Sequence, residues 1–372
     1  MSSSAYLAKL STDSDSMLMR NKKKSLPKEL FTAVDLFSGC GGLSSGLKKA
    51  GFEVAAAVEI DAKAVSTYRL NHPDVQLYDQ DIRKLDPTEI LSRAGLSPGQ
   101  LDLLAGCPPC QGFSRLRTKN QKTSVKDDRN NLVADFLRFV RVMLPKTIML
   151  ENVPSLEKDG RFTKMRNQLD SLGYEVVVYI LDAADYQVPQ RRKRLIMLAS
   201  RIHKPEIAPK SKTRLTVRQA LIGVGAPSRA SDKLHAVPEN RSPAVRDLIS
   251  RIPKNGGSRS DLGDEYQLEC HKKCNGFKDV YGRMSWDDVA PTITSGCHNP
   301  SKGRFLHPTY NRTITLREAA LLQGFPMEYK FDVSHGKEAI ALMIGNALPP
   351  PFIAAHAGAL RDGLLASNKR NI

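Results

Sequence analysis

Short apolar runs alternate with stretches of helical periodicity over the first 200 residues of the chain. Runs that predict strands lie at 31–37, 54–60, 101–105, 147–150, 176–181 and 195–199. Helices are predicted from the glycine-rich segment after the first run to Ala50, and over 62–71 and 132–143. This order predicts an α/β fold with a doubly wound, mostly parallel sheet. Glycines and polar residues follow several strand ends, the edge at which such sheets bind ligands.

The same pattern divides the chain into three parts. The alternation stops at 205–331, a segment rich in Pro, Gly, Arg and Ser that predicts a smaller, irregular domain. Residues 338–365 regain helical character, so we expect the large domain to comprise 31–204 and 332–372. Residues 1–30 are rich in Ser, Asp and Lys and predict a mobile N-terminal extension.

A basic excess indicates a polyanionic partner. The chain has 56 Lys plus Arg against 39 Asp plus Glu, a formal net charge of +17. Residues 191–283 alone hold 21 basic and 9 acidic residues, a net charge of +12. Such a concentration favours nucleic acid as the partner, and the alternative is a solubilising surface.

Cysteine usage and hydropathy predict the compartment. Six irregularly spaced cysteines in 372 residues favour a reducing environment over a disulfide scaffold. No apolar run reaches the roughly 18 residues of a membrane span, and the N-terminus lacks an apolar secretory segment. We therefore expect a cytoplasmic protein with no membrane partner.

A glycine-rich loop follows the first predicted strand. Gly39, Gly41 and Gly42 lie between strand and helix, where glycines let a ligand approach the backbone. Glu59 lies 20 residues after Gly39, at the end of the next strand, where a carboxylate can bind ribose hydroxyls. Ser44 replaces the third glycine of the dinucleotide fingerprint. The loop predicts a nucleoside-like cofactor, and the alternative is a structural turn.

Two cysteines with C-x-x-C spacing follow the third predicted strand. Cys107 and Cys110 are compatible with a redox pair, half of a metal site or buried structural thiols. The segment 270–274 (CHKKC) offers other ligands but lies in the irregular domain, and we predict no metal.

Seven segments together resemble the ordered motifs of DNA (cytosine-5)-methyltransferases of the bacterial modification type. They are 35–42 (DLFSGCGG), 59–61 (EID), 108–114 (PPCQGFS), 151–153 (ENV), 190–194 (QRRKR), 317–326 (REAALLQGFP) and 345–347 (GNA). The resemblance covers about residues 31–365, and the motif order makes it specific although each motif alone is weak.

The resemblance implies a mechanism and assigns catalytic roles. Cys110 would attack carbon 6 of cytosine as a thiolate, because carbon 5 is a poor nucleophile until the ring is activated. Glu151 would contact the N3 and N4 edge of the base as a general acid. Arg194 would face O2 of the base, and Arg192 would support the same pocket.

The resemblance also implies S-adenosylmethionine as the cofactor and double-stranded DNA as the substrate. The implied cofactor-binding residues are Phe37, Gly39, Gly41, Gly42, Leu43, Glu59, Ile60, Asp81, Ile82, Leu132, Asn346 and Ala347. The implied DNA-binding residues are Gln111, Ser114, Arg115 and Gln190, the last of which is also expected to brace its loop.

The target base must leave the duplex to be methylated, so we expect base flipping. The polar stretch 115–131 carries six basic and two acidic residues and is expected to be a mobile loop that closes over DNA. Residues 225–308 are expected to read the DNA sequence. Arg229, Arg241, Arg251 and Arg259 are candidates, although each is compatible with a phosphate contact.

Two other functions stay open at this point. One is the tRNA-methylating branch of the same family, and the other is a catalytically silent DNA-binding regulator on the same fold. The preferred interpretation is a monomeric modification enzyme of a restriction-modification system. Its cognate restriction endonuclease would act on the same site without necessarily binding the enzyme.

Overall fold

The computed structural model describes residues 30–109, 132–227, 231–237, 239–263, 266 and 279–370. Within these ranges a seven-stranded sheet forms with the order β3-β2-β1-β4-β5-β7-β6. Its strands are β1 Phe31–Leu36, β2 Phe52–Val58, β3 Gln76–Tyr78, β4 Leu103–Gly106, β5 Thr147–Asn152, β6 Glu175–Asp182 and β7 Lys193–Ser200. Strands β1 to β5 pair in parallel, whereas β7 runs antiparallel to both β5 and β6. The predicted doubly wound, mostly parallel sheet is confirmed.

All six strands predicted from the sequence are present, with ends that shift by at most two residues. Strand β2 shifts by two residues at both ends, and it begins at Phe52, whose buried side chain pairs with Phe31 of β1. The strand ends at Val58, so Glu59 and Ile60 lie beyond it at the ligand-binding edge of the sheet. Strand β3 was not predicted, because three residues are too few to show a period-two pattern.

The described part of the chain contains ten α-helices. Some pack against the sheet, and the others belong to the irregular region. They are α1 Gly42–Lys49, α2 Ala62–Asn71, α3 Pro87–Arg93, α4 Leu132–Met143, α5 Gly160–Ser171, α6 Val217–Ala220, α7 Pro243–Arg251, α8 Leu316–Leu322, α9 Gly336–Asn346 and α10 Pro350–Arg370. Local capping explains several starts: the Asp61 carboxylate accepts from two backbone N–H groups of α2, and Thr315 forms a capping box with Glu318 at α8. The sequence prediction missed α3 and α5, where three apolar side chains lie among polar ones.

The core around the sheet consists of two layers, one on each face. Val34, Leu104 and Ile148 belong to a cluster with Phe136 of α4 and Phe162 of α5. Their chain neighbours Ala33, Leu103 and Met149 point to the opposite face, because side chains alternate along a strand. There they pack in a cluster with Leu47 of α1 and with Phe352 and Leu360 of α10.

The predicted helical segment 338–365 is two helices. Helix α9 ends at Asn346, and three consecutive prolines at 349–351 separate it from most of α10, because proline cannot continue a preceding helix. Helix α10 packs along α1. By length and composition alone, the stretch Val333–Arg370 could cross a membrane. However, 61% of its most apolar 18-residue window is buried inside the protein.

The region 205–331 is built from short helices, turns and isolated β-bridges in the part that the structure describes. The fully buried Arg283 organises it, since its guanidinium donates to protein oxygens on all sides. The acceptors are the carbonyls of Ile249, Ile252, His307 and Tyr310 and the side-chain oxygen of Asn311. The described residues from Phe31 onward form one compact unit, and the domain boundaries at 205 and 331 stay predictions.

Candidate active site

The glycine-rich loop after β1 uses left-handed backbone conformations that favour glycine. Phe37, Gly39 and Gly41 have φ angles of 63°, 55° and 95°, which lie in the left-handed region. A Cβ on Gly42 would lie 2.5 Å from the carbonyl oxygen of Leu348, so the loop also needs this glycine for close packing against the chain between α9 and α10. Leu43, in the first turn of α1, is buried in the core.

Glu59 brackets the loop from the end of β2. Its Oε2 accepts from the N–H of Gly39 at 2.7 Å, and its Oε1 accepts from Ile60 N at 2.9 Å and Asp61 N at 2.8 Å. A carboxylate has about four lone-pair positions, so one remains for a ligand hydroxyl. Gly39 and Glu59, which the sequence analysis placed in the same predicted site, are thus in direct contact in the structure.

The surroundings of this loop fit a nucleoside cofactor. A Cβ on Gly39 would meet nothing within 4 Å, so open space lies beside the loop. Ile60 is 65% exposed although it is a large apolar side chain next to the sheet edge, which suits packing against an adenine ring. Helix α1 begins at Gly42 with no side-chain cap, which leaves N–H donors for an anionic group.

The other predicted cofactor residues have different degrees of exposure. Asp81 caps the short helix Ile82–Lys84 and pairs with Arg83 at 2.6 Å, whereas Ile82 is buried in the core. Leu132 is partly buried as the first residue of α4. At the end of α9, Asn346 is exposed and Ala347 is buried.

A buried carboxyl lies at the end of β5. Glu151 is 2% exposed; its Oε1 lies 3.0 Å from Nε of Arg194, and its Oε2 accepts from the thiol of Cys107 at 3.2 Å. Burial raises the pKa of Glu151 above its ordinary value, although Arg194, Arg192 and the thiol all favour the ionised form. A carboxyl with a raised pKa is suited to donate a proton.

Arg192 and Arg194 occupy different environments, although both belong to the QRRKR motif at 190–194. Arg192 is 3% exposed and donates to the carbonyls of Ile293 and Gly345, each at 3.0 Å. Burial lowers the pKa of Arg192 to about 9. The side chain of Arg194 is 16% exposed and contacts the carboxyl of Glu151 directly. Arg192 thus holds distant segments together, and Arg194 is the arginine next to the acid.

Gln190 is fully buried and bonded to protein groups. Its Nε2 donates to the carbonyl of Leu322 at 3.0 Å and to the side chain of Gln323, and its Oε1 accepts from Ile293 N at 2.8 Å. The expected bracing contacts are therefore present, and the DNA-binding role of Gln190 stays a prediction.

Several predicted residues lie outside the described ranges, and the described candidate arginines of the irregular region are partly buried or exposed. Cys110, Gln111, Ser114, Arg115 and Arg229 belong to the first group. Arg241 pairs with Glu239 and Arg251 pairs with Asp247, each at 2.8 Å, and Arg259 begins a short helix. No group of three His, Cys, Asp or Glu side chains with metal-binding geometry occurs among the described residues.

The glycine loop, the bracketing Glu59 and the buried Glu151 occur together at one edge of a mostly parallel sheet. The family described as C-5 cytosine-specific DNA methylase matches residues 31–362. The chain belongs to this C-5 cytosine-specific DNA methylase family. It is therefore an enzyme, a DNA (cytosine-5-)-methyltransferase, and its substrate is DNA.

Related proteins and structures agree with this assignment. The Type II methylase M.HgiDII of Herpetosiphon aurantiacus is 35% identical over 331 residues, 85% of this chain and 91% of that protein. The Type II methyltransferase M1.HphI of Haemophilus parahaemolyticus is 34% identical over 340 residues, 88% of this chain and 86% of that protein. A solved structure of a prophage-encoded putative DNA modification methyltransferase (E. coli) is 26% identical, with a TM-score of 0.63 over 90% of this chain and 99% of that one.

The structure adds two residues of this methyltransferase site to which the sequence had given no role. Asn152, 1% exposed, donates from Nδ2 to the carbonyl of Pro108 at 2.9 Å and so fixes the segment that leads to Cys110. Cys107 donates its thiol to Glu151. The ENV motif was the available signal for Asn152, whereas nothing in the sequence linked Cys107 to a residue 44 positions away.

Proposed function

We propose that this methyltransferase transfers a methyl group from S-adenosylmethionine to carbon 5 of a flipped-out cytosine in double-stranded DNA, through a covalent bond between Cys110 and carbon 6. The observation that carries the proposal is the buried Glu151 carboxyl. It lies beside Cys107, three residues before Cys110, and is held by Arg194. A proton donor is needed at the end of β5 if the Cys110 thiolate, which follows the neighbouring strand β4 in the sequence, attacks the cytosine ring.

The proposed reaction follows from the needs of the cytosine ring. The Cys110 thiolate forms a bond to carbon 6, the π electrons of the C5–C6 bond shift into the ring, and Glu151 donates a proton to N3. Carbon 5 would then behave as an enamine carbon and take the methyl group, and the sulfonium would leave as the neutral thioether S-adenosylhomocysteine. Loss of the carbon-5 proton to solvent, return of the N3 proton to Glu151 and departure of the thiolate from carbon 6 would restore the aromatic ring.

The residues of the glycine loop would hold the cofactor. Glu59 would accept from one ribose hydroxyl, Ile60 would pack against the adenine, and the N-terminus of α1 would bind the methionine carboxylate. S-adenosylmethionine would supply an electrophilic methyl group on a sulfonium. The open space at Gly39 and the exposure of Ile60 support this assignment.

Base flipping is part of the proposal because carbon 6 of a stacked base is inaccessible to a protein thiol. Extrusion costs a few kcal/mol. The net charge of +17 would attract the DNA phosphates and make binding strongly dependent on salt. The enzyme would act as a monomer on duplex DNA in the cytoplasm.

We also propose a restriction-modification role. The relatives named above are described as Type II methylases, which supports a function in protecting DNA from a nuclease that cuts the same site. A plasmid methylated by this enzyme should then resist a nuclease of that specificity, and the nuclease need not bind the enzyme.

Bisulfite sequencing of plasmid DNA from cells that produce the protein tests the activity and reveals the recognition site. The wild type should leave one cytosine of a fixed sequence unconverted, and Cys110→Ser and Glu151→Gln should abolish or greatly reduce this protection. Cys297→Ala is a matched control, because Cys297 is buried in the region 205–331, where burial raises the pKa of its thiol to about 12. Full methylation by Cys110→Ser would contradict the mechanism.

Duplex DNA with 5-fluorocytosine at the revealed position tests the covalent step separately. The fluorine cannot leave as a cation, so the wild type should form a complex that survives denaturing electrophoresis. The Cys110→Ser protein should form none, and a trapped complex in that variant would refute the assignment of the nucleophile.

A further inference from the structure

The glycine-rich loop after β1, which is the proposed cofactor loop, is contacted from the protein interior by two side chains from distant parts of the chain. The hydroxyl of Tyr329 donates to the carbonyl oxygen of Cys40 at 2.5 Å. Nε2 of His72, at the end of α2, lies 3.2 Å from the carbonyl oxygen of Gly41 and 3.3 Å from the Tyr329 hydroxyl. Two consecutive loop carbonyls are therefore bound by one tyrosine and one histidine, 257 positions apart in the chain.

These two side chains also fill the space next to the loop. A Cβ on Gly41 would lie 2.6 Å from both Nε2 of His72 and the hydroxyl oxygen of Tyr329. Gly41 has a φ of 95°, so its conformation and its contact with this pair both require glycine. The loop and the pair are complementary in shape as well as in hydrogen bonding.

The protonation states are consistent with this arrangement. Burial raises the pKa of Tyr329 well above its ordinary value, so the hydroxyl keeps its proton and donates it. Burial lowers the pKa of His72 to about 4, so the ring is neutral near pH 7. The tautomer with a proton on Nε2 satisfies both short contacts, because Nε2–H then donates to Gly41 and the Tyr329 oxygen accepts as well.

Tyr329 is itself fixed by its surroundings. Its ring packs against Phe325 and Phe331, with centroids 4.6 Å and 5.5 Å away. Its backbone carbonyl accepts from Arg317 at 2.8 Å, and Arg317 pairs with Asp232 at 2.5 Å. The hydroxyl is therefore a rigid support for the loop.

We propose that Tyr329, together with His72, is a positioning residue for cofactor binding that holds residues 39–41 in the conformation that receives S-adenosylmethionine. The inference rests on the proposed function, since it concerns the cofactor named there. Neither side chain is proposed to touch the cofactor. Each holds a loop carbonyl, so that the loop is ordered before the cofactor arrives and binding does not have to order it.

Calorimetric titration of the full-length protein with S-adenosylhomocysteine, without DNA, tests the inference. Tyr329→Phe removes only the hydroxyl, and we expect binding about fivefold weaker than in the wild type. Tyr174→Phe is the matched control, because Tyr174 is also buried and its hydroxyl donates to the carbonyl of Pro145 at 2.6 Å, away from the loop. Both variants should lose similar thermal stability, and Tyr174→Phe should keep wild-type affinity.

Steady-state kinetics give a readout that a general loss of stability would not change. Tyr329→Phe should raise KM for S-adenosylmethionine about fivefold and leave kcat and KM for DNA near their wild-type values. His72→Gln keeps an N–H near the position of Nε2 and should bind S-adenosylhomocysteine nearly as the wild type does. His72→Leu lacks the donor and should bind it more weakly; this pair also tests the inference if Tyr329→Phe does not fold.

The outcomes separate this inference from the function on which it rests. Unchanged affinity in folded Tyr329→Phe or His72→Leu protein, with normal binding by the wild type, would overturn the inference alone. A wild-type protein that binds no S-adenosylhomocysteine would overturn the proposed cofactor and this inference together.

Discussion

At the scale of single residues, the site depends on how a buried carboxyl is held. Both oxygens of Glu151 have a protein contact, one with Arg194 and one with the thiol of Cys107. Burial raises the pKa of Glu151, and the two contacts oppose that shift because they favour the ionised form. The balance between burial and these contacts sets the pKa of Glu151, and therefore the pH above which the carboxyl is no longer protonated.

The alkaline limb of the pH–rate profile should report this balance. In the proposed reaction the protonated carboxyl is the active form, so activity should be present below the pKa of Glu151 and should be lost as the pH rises through it. Cys107→Ala removes a donor that favours the ionised form, so the pKa rises further and the limb moves to higher pH. Cys107→Ser keeps a donor and should leave the limb near its wild-type position.

Glu151→Gln should lower kcat by about a hundredfold or more and remove this limb, because an amide cannot donate the proton in the same way. Rates of methyl transfer to duplex DNA from pH 6 to 10 measure all three variants. A limb that stays in place in Cys107→Ala would show that the thiol does not influence the acid.

At the scale of elements, the position of α1 depends on its contact with α10. A Cβ on Gly46 of α1 would lie 2.5 Å from the Cβ of Ile353 and 2.8 Å from the carbonyl oxygen of Pro350. The two helices therefore approach more closely than any larger residue at 46 allows. Because α1 starts at the glycine loop, this contact also fixes the loop relative to the sheet.

Two glycine-to-alanine variants in these helices should have opposite effects on stability. Gly46→Ala forces a backbone shift, and we expect a loss of about 2 kcal/mol despite the better helix propensity of alanine. Gly358→Ala in α10 adds a Cβ with nothing within 4 Å, so the propensity term should dominate and stabilise the protein by about 0.5–1 kcal/mol. Urea denaturation measures both, and equal effects would contradict the packing argument.

Elements were also where sequence reasoning succeeded most. Six strands and the helices α1, α2 and α4 were predicted from the chain pattern, because burial of a strand or helix face leaves a local periodic signal. Strand β3 and helices α3 and α5 were missed, since they are short or carry few apolar side chains. The break between α9 and α10 was also missed, although the prolines at 349–351 were its signal.

At the scale of the whole molecule, buried histidines make stability depend on pH. Burial lowers the pKa of His72, His307 and His356 to about 4 in each case. Unfolding restores a pKa of about 6.5, so the unfolded chain binds more protons than the folded one between these values. Stability from these groups is therefore complete above about pH 6.5 and falls as the pH drops toward 4.

His356→Gln should remove one of these contributions. His356 is fully buried among Tyr186 and Phe352, away from the cofactor loop, and burial is the cause of its low pKa. Between pH 7 and pH 5 the wild type should lose about 2 kcal/mol more than the variant in its free energy of unfolding. Urea denaturation at both pH values tests this, and an identical loss in the two proteins would contradict the assignment.

The sequence by itself determined the local features of this protein. The apolar periodicity specified most of the sheet, and the ordered motifs indicated the family, the glycine loop and the acid at 151 before any contact was known. These features are readable because a strand, a turn or a capped helix depends on residues close together in the chain.

Only the tertiary structure decided which distant residues meet. It brought Tyr329 to the carbonyl of Cys40, Arg192 to that of Gly345, and the thiol of Cys107 to Glu151. Such pairs depend on how the packed layers bury their apolar surfaces and pair their buried polar groups, and this is a property of the whole fold that no local pattern in the chain records.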